Sequence, residues 1–531
     1  MALIFANRVD ADPATSGHRP TYRGTNMTTF APTAQQQAFL DALTGTTFNL
    51  ALLARAGCGK TATILMGVDA IAKQQPKAEV LVCAFNKAIA TEVEGKLKAA
   101  GHTDWRTVQT STLHALGFNL VKFAFKSAVD GKKVRNLIHE AGCAAGRNDS
   151  AFFVYASQIA SLVGYAKGAG FGFFADKQIG DAAAWYALAD HFDVGGYDSD
   201  TSDMDQIISC SQAIYRASLA QTDIVDFDDM ILFPLVKNLR VRFGKDVVFV
   251  DEAQDLSPAR QALIRKFVKF DGGRMIVVGD DRQAIYGFSG ADAEALPNMI
   301  TSLNATVLPL SVTWRCPAAV VRAAQVYVPD IMAADGAEEG AVVHNGCLPD
   351  DIGAGDAILC RNTAPLIDLA YRLIRQGRAA KVEGRAIGDG LKALVNRWKV
   401  ADTATLLIRL DGYADREIQK AMAKDNEAKA EEVADRVETM RHIIAAVNAG
   451  GSNRTADVTS HIDSLFADDA ANAIILATYH RSKGREWNRV YLFEHATRCP
   501  SKAAKQAWQK GQEANLAYVA VTRAKKLLTF I

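Results

Sequence analysis

A glycine-rich loop and an Asp-Glu run, each directly after an apolar stretch, constrain the fold of this chain most. The loop is Ala54-Arg55-Ala56-Gly57-Cys58-Gly59-Lys60-Thr61, and the run is Val250-Asp251-Glu252-Ala253-Gln254-Asp255. In such a loop, backbone N–H groups turn towards phosphate oxygens, the lysine meets the outer phosphates and the hydroxyl can ligate magnesium. Of two carboxylates at the end of a buried strand, one can hold the metal and the other can orient water. Either pattern alone is ambiguous, but together they predict nucleotide hydrolysis.

Length and composition exclude several classes of protein. At 531 residues, 49% apolar and 22% charged, the chain is too long for one core and has the composition of a globular protein with two to four domains. Its net charge of +1 does not indicate a polyanion partner, so any such site must be a local groove. The eight cysteines are scattered without CxxC pairs, which argues against zinc and disulfides and favours a cytoplasmic location. No stretch is apolar for long enough to span a membrane.

The order of apolar strand-like runs predicts two α/β units with parallel sheets, each interrupted by a helical insertion. We expect a flexible leader at 1–29 and a first unit at 30–118 and 223–316, with its insertion at 119–222. A second unit is expected at 317–387 and 471–531, with a shorter insertion at 388–470. The predicted strands are Phe48 onwards, Val80 to Phe85, Val247 to Val250, Met275 to Val278, Ala357 to Cys360, Ile474 to Thr478, Val490 to Phe493 and Leu527 to Ile531.

Further short motifs narrow the prediction. They are Val278-Gly279-Asp280-Asp281-Arg282-Gln283-Ala284-Ile285-Tyr286-Gly287-Phe288, then Trp314-Arg315-Cys316-Pro317, then Thr478-Tyr479-His480-Arg481-Ser482-Lys483-Gly484-Arg485-Glu486-Trp487, and finally Leu516-Ala517-Tyr518-Val519-Ala520-Val521-Thr522-Arg523-Ala524. Taken in order with the first two, these motifs resemble those of superfamily 1 helicases of the UvrD/Rep/PcrA type. The resemblance is specific in the two α/β units and weak in the insertions.

The resemblance implies two RecA-like P-loop domains with ATP bound between them and single-stranded DNA across their top. It implies ATP and Mg²⁺ as cofactors, single-stranded DNA and single-strand/duplex junctions as partners, and an ATP-dependent 3′–5′ DNA helicase as the function. Two alternatives stay open. One is a translocase that displaces proteins from single-stranded DNA with little unwinding, and the other is an ATP-switched protein-interaction scaffold.

Roles at the nucleotide follow from the same resemblance. Lys60 and Thr61 would bind phosphate and magnesium, Asp251 the metal, and Glu252 the attacking water. Gln283 would couple the γ-phosphate to the DNA site, and Arg315 and Arg523 would reach that phosphate from the second unit. Physics favours arginine there, because a planar and permanently charged donor meets phosphoryl charge best. The remaining nucleotide contacts would be Gln35 and Trp314 at adenine, Glu486 near the ribose, and Ala56, Gly57, Cys58, Gly59 and Thr63 in and after the loop.

On the nucleic-acid side, rings would stack on bases and small polar groups would hold phosphates. The residues that resemble the strand contacts of the family are Phe85, Asn86, His114, Tyr286, Phe288, Thr478 and His480. Core packing for the phenylalanines and a structural role for the histidines stay open. A local cationic cluster of Arg481, Lys483, Arg485 and Arg489 is a candidate for a position beside the DNA, and the alternative that two of them are only solvated stays open.

Several positions depart from the family pattern. Ala54 stands at the first glycine of the loop, and Arg55 and Arg485 replace the more usual glycine and leucine. Ser289 stands where relatives commonly carry arginine, so we expect one strand contact to be lost or moved. The short second insertion and the few residues after Arg523 lead us to expect a reduced regulatory arm and a reduced C-terminal tail.

Overall fold

The structure is a computed structural model that describes residues 31–104, 106–146, 150–194, 201–287, 290, 292, 294–344, 346–376, 378–422, 427–466 and 473–531. The predicted leader at 1–29 lies outside the described residues, as do Phe288 and Ser289. Among the described helices, none combines the length and the apolar character that a membrane span requires.

The strands occur throughout the described chain, and each is short. In chain order they are β1 (Leu50–Ala54), β2 (Val80–Ala84), β3 (Val108–Thr112), β4 (Ala128–Val129), β5 (Ile224–Val225), β6 (Val247–Val250), β7 (Arg274–Gly279), β8 (Thr306–Leu310), β9 (Val312–Thr313), β10 (Met332–Ala333), β11 (Ala341–Val343), β12 (Ala357–Cys360), β13 (Ala380–Val382), β14 (Ile474–Thr478), β15 (Trp487–Leu492) and β16 (Ala524–Phe530).

The helices alternate with the strands in both halves and occupy the two insertions. In chain order they are α1 (Ala34–Gly45), α2 (Lys60–Gln74), α3 (Lys87–Ala99), α4 (Leu113–Phe125), α5 (Lys133–Ala144), α6 (Ala151–Val154), α7 (Ala156–Ala169), α8 (Ala182–His191), α9 (Thr201–Ala220), α10 (Phe227–Val236), α11 (Pro258–Arg265), α12 (Ala295–Leu303), α13 (Ala318–Ala324), α14 (Ala364–Arg375), α15 (Arg385–Trp398), α16 (Thr403–Met422), α17 (Glu427–Ala449), α18 (Thr455–Leu465), α19 (Tyr479–Ser482), α20 (His495–Arg498) and α21 (Ala507–Val521).

The first half is built on a six-stranded parallel sheet with the order β3-β2-β6-β7-β1-β8. Successive residues of each central strand belong to different hydrophobic clusters: Val248 packs on one face, and Phe249 on the other. Helices therefore cover both faces, which is why the strands read as continuous apolar runs. The carboxyl ends of β1, β2, β6 and β7 meet at one edge, so the residues that follow them share one site.

The first insertion leaves and re-enters this half at adjacent points, where β4 and β5 pair in parallel. Its helices pack around Trp185 and Tyr215. Helices α5, α7 and α10 also share a buried ionic cluster. In it, Asp229 accepts hydrogen bonds from Lys133 Nζ and Lys167 Nζ, each at 2.7 Å. Lys167 also pairs with Asp226 at 2.6 Å. These buried charges are mutually satisfied, as burial of charge requires.

The second half contains another six-stranded parallel sheet, with the order β11-β16-β15-β12-β14-β13. One face of this sheet shares a single hydrophobic cluster with the second insertion, in which Ile358 and Leu476 of the sheet join Leu410, Val437 and Met440 of the insertion. The insertion is therefore part of the core of the second half.

Polar contacts reinforce that attachment. Asp435 on α17 accepts hydrogen bonds from the N–H groups of Thr363 and Ala364, at 3.1 and 2.8 Å, where α14 begins. A carboxylate at this position satisfies unpaired donors of the helix and interacts favourably with its dipole. On the same helix, Glu431 accepts from Asn362 at 3.1 Å and from Ser501 at 2.5 Å.

The predicted fold class, two α/β units with parallel sheets and helical insertions, is confirmed. The predicted strands all form, with shifted ends: β15 begins at Trp487 and β16 at Ala524, earlier than expected. Edge strands β3, β8, β11 and β13 were not predicted from the sequence. The numerical domain boundaries stay predictions.

Candidate active site

A cavity of about 530 Å³ lies between the two halves. From the first half, its wall includes Lys60, Thr61, Asp251 and Glu252, which follow β1 and β6. The segment that follows β9 and links the two halves contributes Arg315 to the wall. The second half contributes Lys483, Glu486 and Arg523. Residues distant in sequence, and predicted to act on one ligand, thus face a common space.

The phosphate loop is held against the linking segment that follows β9. Trp314 N–H donates to Gly57 O at 3.0 Å. A Cβ atom at Gly57 would lie 2.5 Å from Thr313 Oγ1 and 2.6 Å from Arg315 Cβ, and its φ of +72° is in the left-handed region. Glycine is required at this position for both reasons. Gly59, with φ of +80°, precedes α2 and allows the turn into the helix.

Acidic and basic side chains lie close together in the cavity wall. Lys60 Nζ lies 3.0 Å from Glu252 Oε1. Burial disfavours ionised Glu252, but Lys60 and Lys483 outweigh it and lower the pKa of this carboxyl to about 2. Burial, followed by the charge of Glu252, raises the pKa of Asp251 to about 6. The pKa values of Asp251 and Glu252 are therefore shifted in opposite directions, which is common for catalytic carboxylates.

The donor set suits a hard divalent cation. The hydroxyl of Thr61 and the carboxylate of Asp251 both reach the cavity wall, and Mg²⁺ prefers oxygen ligands of these kinds. Asp251 Oδ1 is oriented by the N–H of Glu252, which donates to it at 2.9 Å. Thr61 and Asp251 therefore fit the metal role predicted from the sequence.

Arg523 is almost fully buried and is one of the residues that line the cavity. It donates to three neutral oxygens, Val519 O at 2.7 Å, Arg485 O at 3.1 Å and Thr522 Oγ1 at 3.0 Å. Burial, followed by the nearby charge of Arg315, lowers the pKa of Arg523 to about 9. A buried cation held by neutral acceptors is arranged to receive an anion.

Arg315 pairs with a carboxylate, whereas the hydrogen-bond acceptors of Arg523 among the described residues are neutral oxygens. Arg315 Nε donates to Glu486 Oε2 at 2.6 Å. Although burial acts in the opposite direction, Arg315 and then Lys525 lower the pKa of Glu486. The predicted ribose carboxylate and one predicted phosphate arginine are therefore neighbours.

Gln283 and Lys483 connect the first half to the second. Gln283 Nε2 donates to Asp280 Oδ2 at 2.7 Å. Lys483 Nζ, from the second half, donates to Asp255 Oδ2 at 2.6 Å and to Gln283 O at 2.7 Å. Lys483 thus lies at the cavity wall and fixes the backbone of Gln283.

The predicted cationic cluster is wrong for three of its four members, because each contacts a different carboxylate group. Lys483 pairs with Asp255, as described above. Arg485 pairs with Glu383, and Arg489 pairs with Asp351 and Asp356 at 2.7 Å each. Each of these three side chains is therefore paired with acidic residues of a different segment.

Other predicted nucleotide residues differ in placement. Trp314 is 62% exposed and lies on the cavity wall with Cys58. Gln35 is not on that wall: its amide donates to Ser311 Oγ at 2.9 Å and accepts from Ser311 N at 2.9 Å. Thr63 is buried in α2 and accepts a hydrogen bond from Gln36 Nε2 at 3.0 Å.

Three of the predicted strand-contacting residues border the same cavity. Phe85 and Tyr286 have nearly parallel rings, with centroids 6.2 Å apart and an interplanar angle of 7°. Asn86 also lines the cavity, while its side-chain oxygen accepts from Ile89 N at 2.9 Å and caps α3. This group therefore adjoins the predicted phosphate site.

The other predicted DNA-contacting residues that the structure describes do not line the main cavity. His114 shares a small adjoining pocket with Phe85 and Arg260, and burial, then Arg260, lowers its pKa to about 4. Burial, then Arg361 and Arg481, lowers the pKa of His480 to about 3. Both rings are therefore neutral near pH 7. Thr478 is half-buried and immediately precedes α19.

Comparison with protein families gives the assignment. Residues 33–304 match the UvrD/REP helicase N-terminal domain, and residues 373–531 match the UvrD-like helicase C-terminal domain. The chain belongs to the UvrD-like helicases.

Several curated proteins resemble this UvrD-like helicase over part of their length. The ATP-dependent DNA helicase Rep of Escherichia coli K12 is 26% identical over 296 residues, which is 52% of this chain and 40% of Rep. The F-box DNA helicase protein 1 of Schizosaccharomyces pombe is 22% identical over 532 residues, covering 90% of this chain and 55% of that protein. PcrA of Bacillus subtilis is 31% identical over 139 residues, 24% of this chain and 18% of PcrA. The chain spans about half or less of the length of these relatives.

Two site residues of this UvrD-like helicase were not assigned from the sequence. Tyr518 on α21 accepts a hydrogen bond from Ala56 N–H of the phosphate loop at 2.9 Å. Gln254 donates to Glu252 Oε2 at 2.5 Å and accepts from Asp280 N at 3.1 Å, so it joins the two acidic segments. Their presence inside motifs was the available signal, but their partners lie in other motifs.

Proposed function

We propose that this chain hydrolyses ATP with Mg²⁺ and couples hydrolysis to 3′–5′ movement on single-stranded DNA and to duplex unwinding. One observation carries the proposal: Lys60, the Asp251-Glu252 pair, Arg315 and Arg523 all face one cavity between the halves. Phosphoryl transfer requires little covalent chemistry from the protein and depends on positioning and charge stabilisation. The residues that line the cavity include cations that can stabilise phosphoryl charge and carboxylates that can position the metal and the water.

Each side chain has a definite task in this proposal. Lys60 and the two arginines meet the charge on the outer phosphates, and Thr61 and Asp251 hold the metal. Magnesium, when bound, neutralises charge on the phosphate oxygens. Glu252 orients the attacking water and accepts its proton. Lys60 and Lys483 keep Glu252 ionised over the physiological pH range, so its carboxylate can accept a hydrogen bond from that water.

Coupling follows from the origin of these groups. Arg523 and Lys483 belong to the second half, whereas Lys60 and Glu252 belong to the first. Loss of the γ-phosphate removes the anion that Lys60 and Arg523 share, so the halves then relax apart. Phe85 and Tyr286 border the same cavity, which supports a base-stacking role for these rings close to the phosphate site.

The test uses partial duplexes with a single-stranded tail. We expect ATP turnover that rises with single-stranded DNA, and strand separation on substrates with 3′ tails that requires ATP and Mg²⁺. Separation only on 5′ tails would contradict the polarity. If single-stranded DNA does not change the rate of ATP turnover, and if nucleotide controls binding to a protein, the ATP-switched scaffold would be favoured.

A second candidate is a translocase that displaces proteins with little unwinding. The observation that favours it is that the described part of the second insertion shares one hydrophobic core with the second half and does not form a core of its own. Displacement of streptavidin from a biotinylated single strand, without separation of a forked duplex, would support this alternative. Efficient fork separation would exclude it.

A further inference from the structure

Arg55, the second residue of the phosphate loop, stands where the family usually has glycine. Its side chain is only 10% exposed and contacts three carboxylates. Nη1 donates to Asp280 at 2.9 Å and to Asp281 at 2.6 Å. Nε lies 2.9 Å from Asp330 Oδ2, and Nη2 lies 2.8 Å from the same oxygen. One guanidinium therefore joins two separate acidic segments to the loop.

Asp280 connects Arg55 to the predicted γ-phosphate sensor. Its carboxylate is fully buried, and Oδ1 accepts from Arg55. Oδ2 accepts from Gln283 Nε2 at 2.7 Å and lies 3.4 Å from the hydroxyl of Tyr518. A buried carboxylate requires such partners, so the orientation of Gln283 depends on an anion that Arg55 holds.

Asp330 connects Arg55 to the second half. It lies between Val328 and Ile331, whose hydrophobic cluster contains Leu359 and Val490 of the second sheet together with Ala56 and Ile285 of the first half. The Arg55–Asp330 pair therefore lies at the junction of the two halves, where relative movement of the halves would change its geometry.

We propose that Arg55 is a positioning residue of the ATPase site: through Asp280 it sets the orientation of Gln283, and through Asp330 it makes that orientation respond to the second half. The inference rests on the proposed function and adds a coupling residue to it. Arginine is required because its planar fork presents separate donors to the two acidic segments, and a lysine ammonium cannot reproduce that geometry.

The decisive variant is Arg55→Lys, which keeps the charge and loses the fork. We expect kcat for DNA-stimulated ATP turnover to fall roughly ten- to a hundredfold, as misplacement of a catalytic group does, with KM for ATP changed less than about threefold. Arg322→Lys is the matched control: this exposed arginine pairs with Glu339 away from the cavity, and its kcat should stay within about twofold of wild type.

Action through Gln283 is tested by a double-mutant cycle. If Arg55 acts by positioning Gln283, Arg55→Lys should cost little further activity in a Gln283→Ala background. Asp330→Ala removes the carboxylate that Arg55 contacts, lies at a half-exposed position and is expected to fold. It should reduce the stimulation of kcat by single-stranded DNA severalfold, and the loss should not add to that of Arg55→Lys.

The outcomes separate this inference from the function on which it rests. Wild-type protein without DNA-stimulated turnover would overturn both. Normal wild-type turnover with an unimpaired Arg55→Lys variant would overturn only the role of Arg55. A higher KM with unchanged kcat would make Arg55 a nucleotide-binding residue, and additive losses in the two cycles would show that it acts independently of Gln283 and Asp330; either result would refute the coupling.

Discussion

Arg523→Met should separate stability from activity. The pKa of this buried guanidinium falls well below its ordinary value, to about 9, chiefly through burial and secondly through Arg315. At about 1.4 kcal/mol for each tenfold change in proton affinity, the charge costs the folded protein on the order of 5 kcal/mol at neutral pH. The side chain donates to three neutral oxygens, which together return about 3 kcal/mol. Methionine fills a similar volume without the charge.

The expected stability of the Arg523→Met variant is therefore unchanged or higher by about 2 kcal/mol. Because the same cation would meet the γ-phosphate, kcat for ATP should fall by about 10³-fold or more. Urea unfolding measures the first quantity and steady-state turnover the second. Arg372→Met, at an exposed arginine paired with Asp368, is the control and should change stability by less than about 0.5 kcal/mol.

Two results would refute this reasoning. A decrease of more than about 2 kcal/mol in the free energy of unfolding of Arg523→Met would mean that the three hydrogen bonds outweigh the cost of the buried charge. A kcat above roughly a tenth of the wild-type value would mean that Arg523 does not stabilise the transferring phosphoryl group.

Three further predictions concern the site and the fold. Lys60→Ala and Glu252→Gln should both abolish turnover, while the Glu252 variant still binds ATP in an equilibrium titration; full activity in either would remove the site assignment. Phe85→Ala should weaken single-strand affinity by about 1–3 kcal/mol in a fluorescence titration, and unchanged affinity would make this ring a packing residue. Asp229→Asn leaves two buried ammonium groups with one carboxylate fewer, so unfolding of the first insertion, followed by Trp185 fluorescence, should become easier by about 3–5 kcal/mol. A change below about 1 kcal/mol would show that the cluster is not strained by that loss.

The central strands were predictable from the sequence because both faces of each sheet are covered. A strand such as Val247–Val250 is buried on both sides and reads as an uninterrupted apolar run. Edge strands give no such signal: β3 is Val-Gln-Thr-Ser-Thr and half-buried, and β8 contains Pro309 and is mostly exposed. Their strand character comes from pairing with a neighbour, which no local pattern encodes.

Site residues within motifs were predictable as a set, whereas their partners were not. The phosphate loop, Asp251 and Glu252 face the cavity as the motif order predicts. Lys483 was placed in a cationic cluster because three neighbouring residues carry the same charge, but its partner is Asp255 of the first half. Pairs of this kind are determined by how the two halves meet, and charge patterning along the chain contains no information about that contact.

The common core of the second insertion and the second sheet has a mechanical consequence. Helices α15 to α18 cannot pivot separately without exposing apolar side chains such as Val437 and Met440, so they travel with the sheet as one rigid lobe. Nucleotide-driven swings of the second half would then displace the far ends of these helices furthest, because displacement grows with distance from the pivot. Energy transfer between a dye at the far end of these helices and a dye on α1 should change with each swing. Energy transfer between two dyes that are both within the lobe should not change.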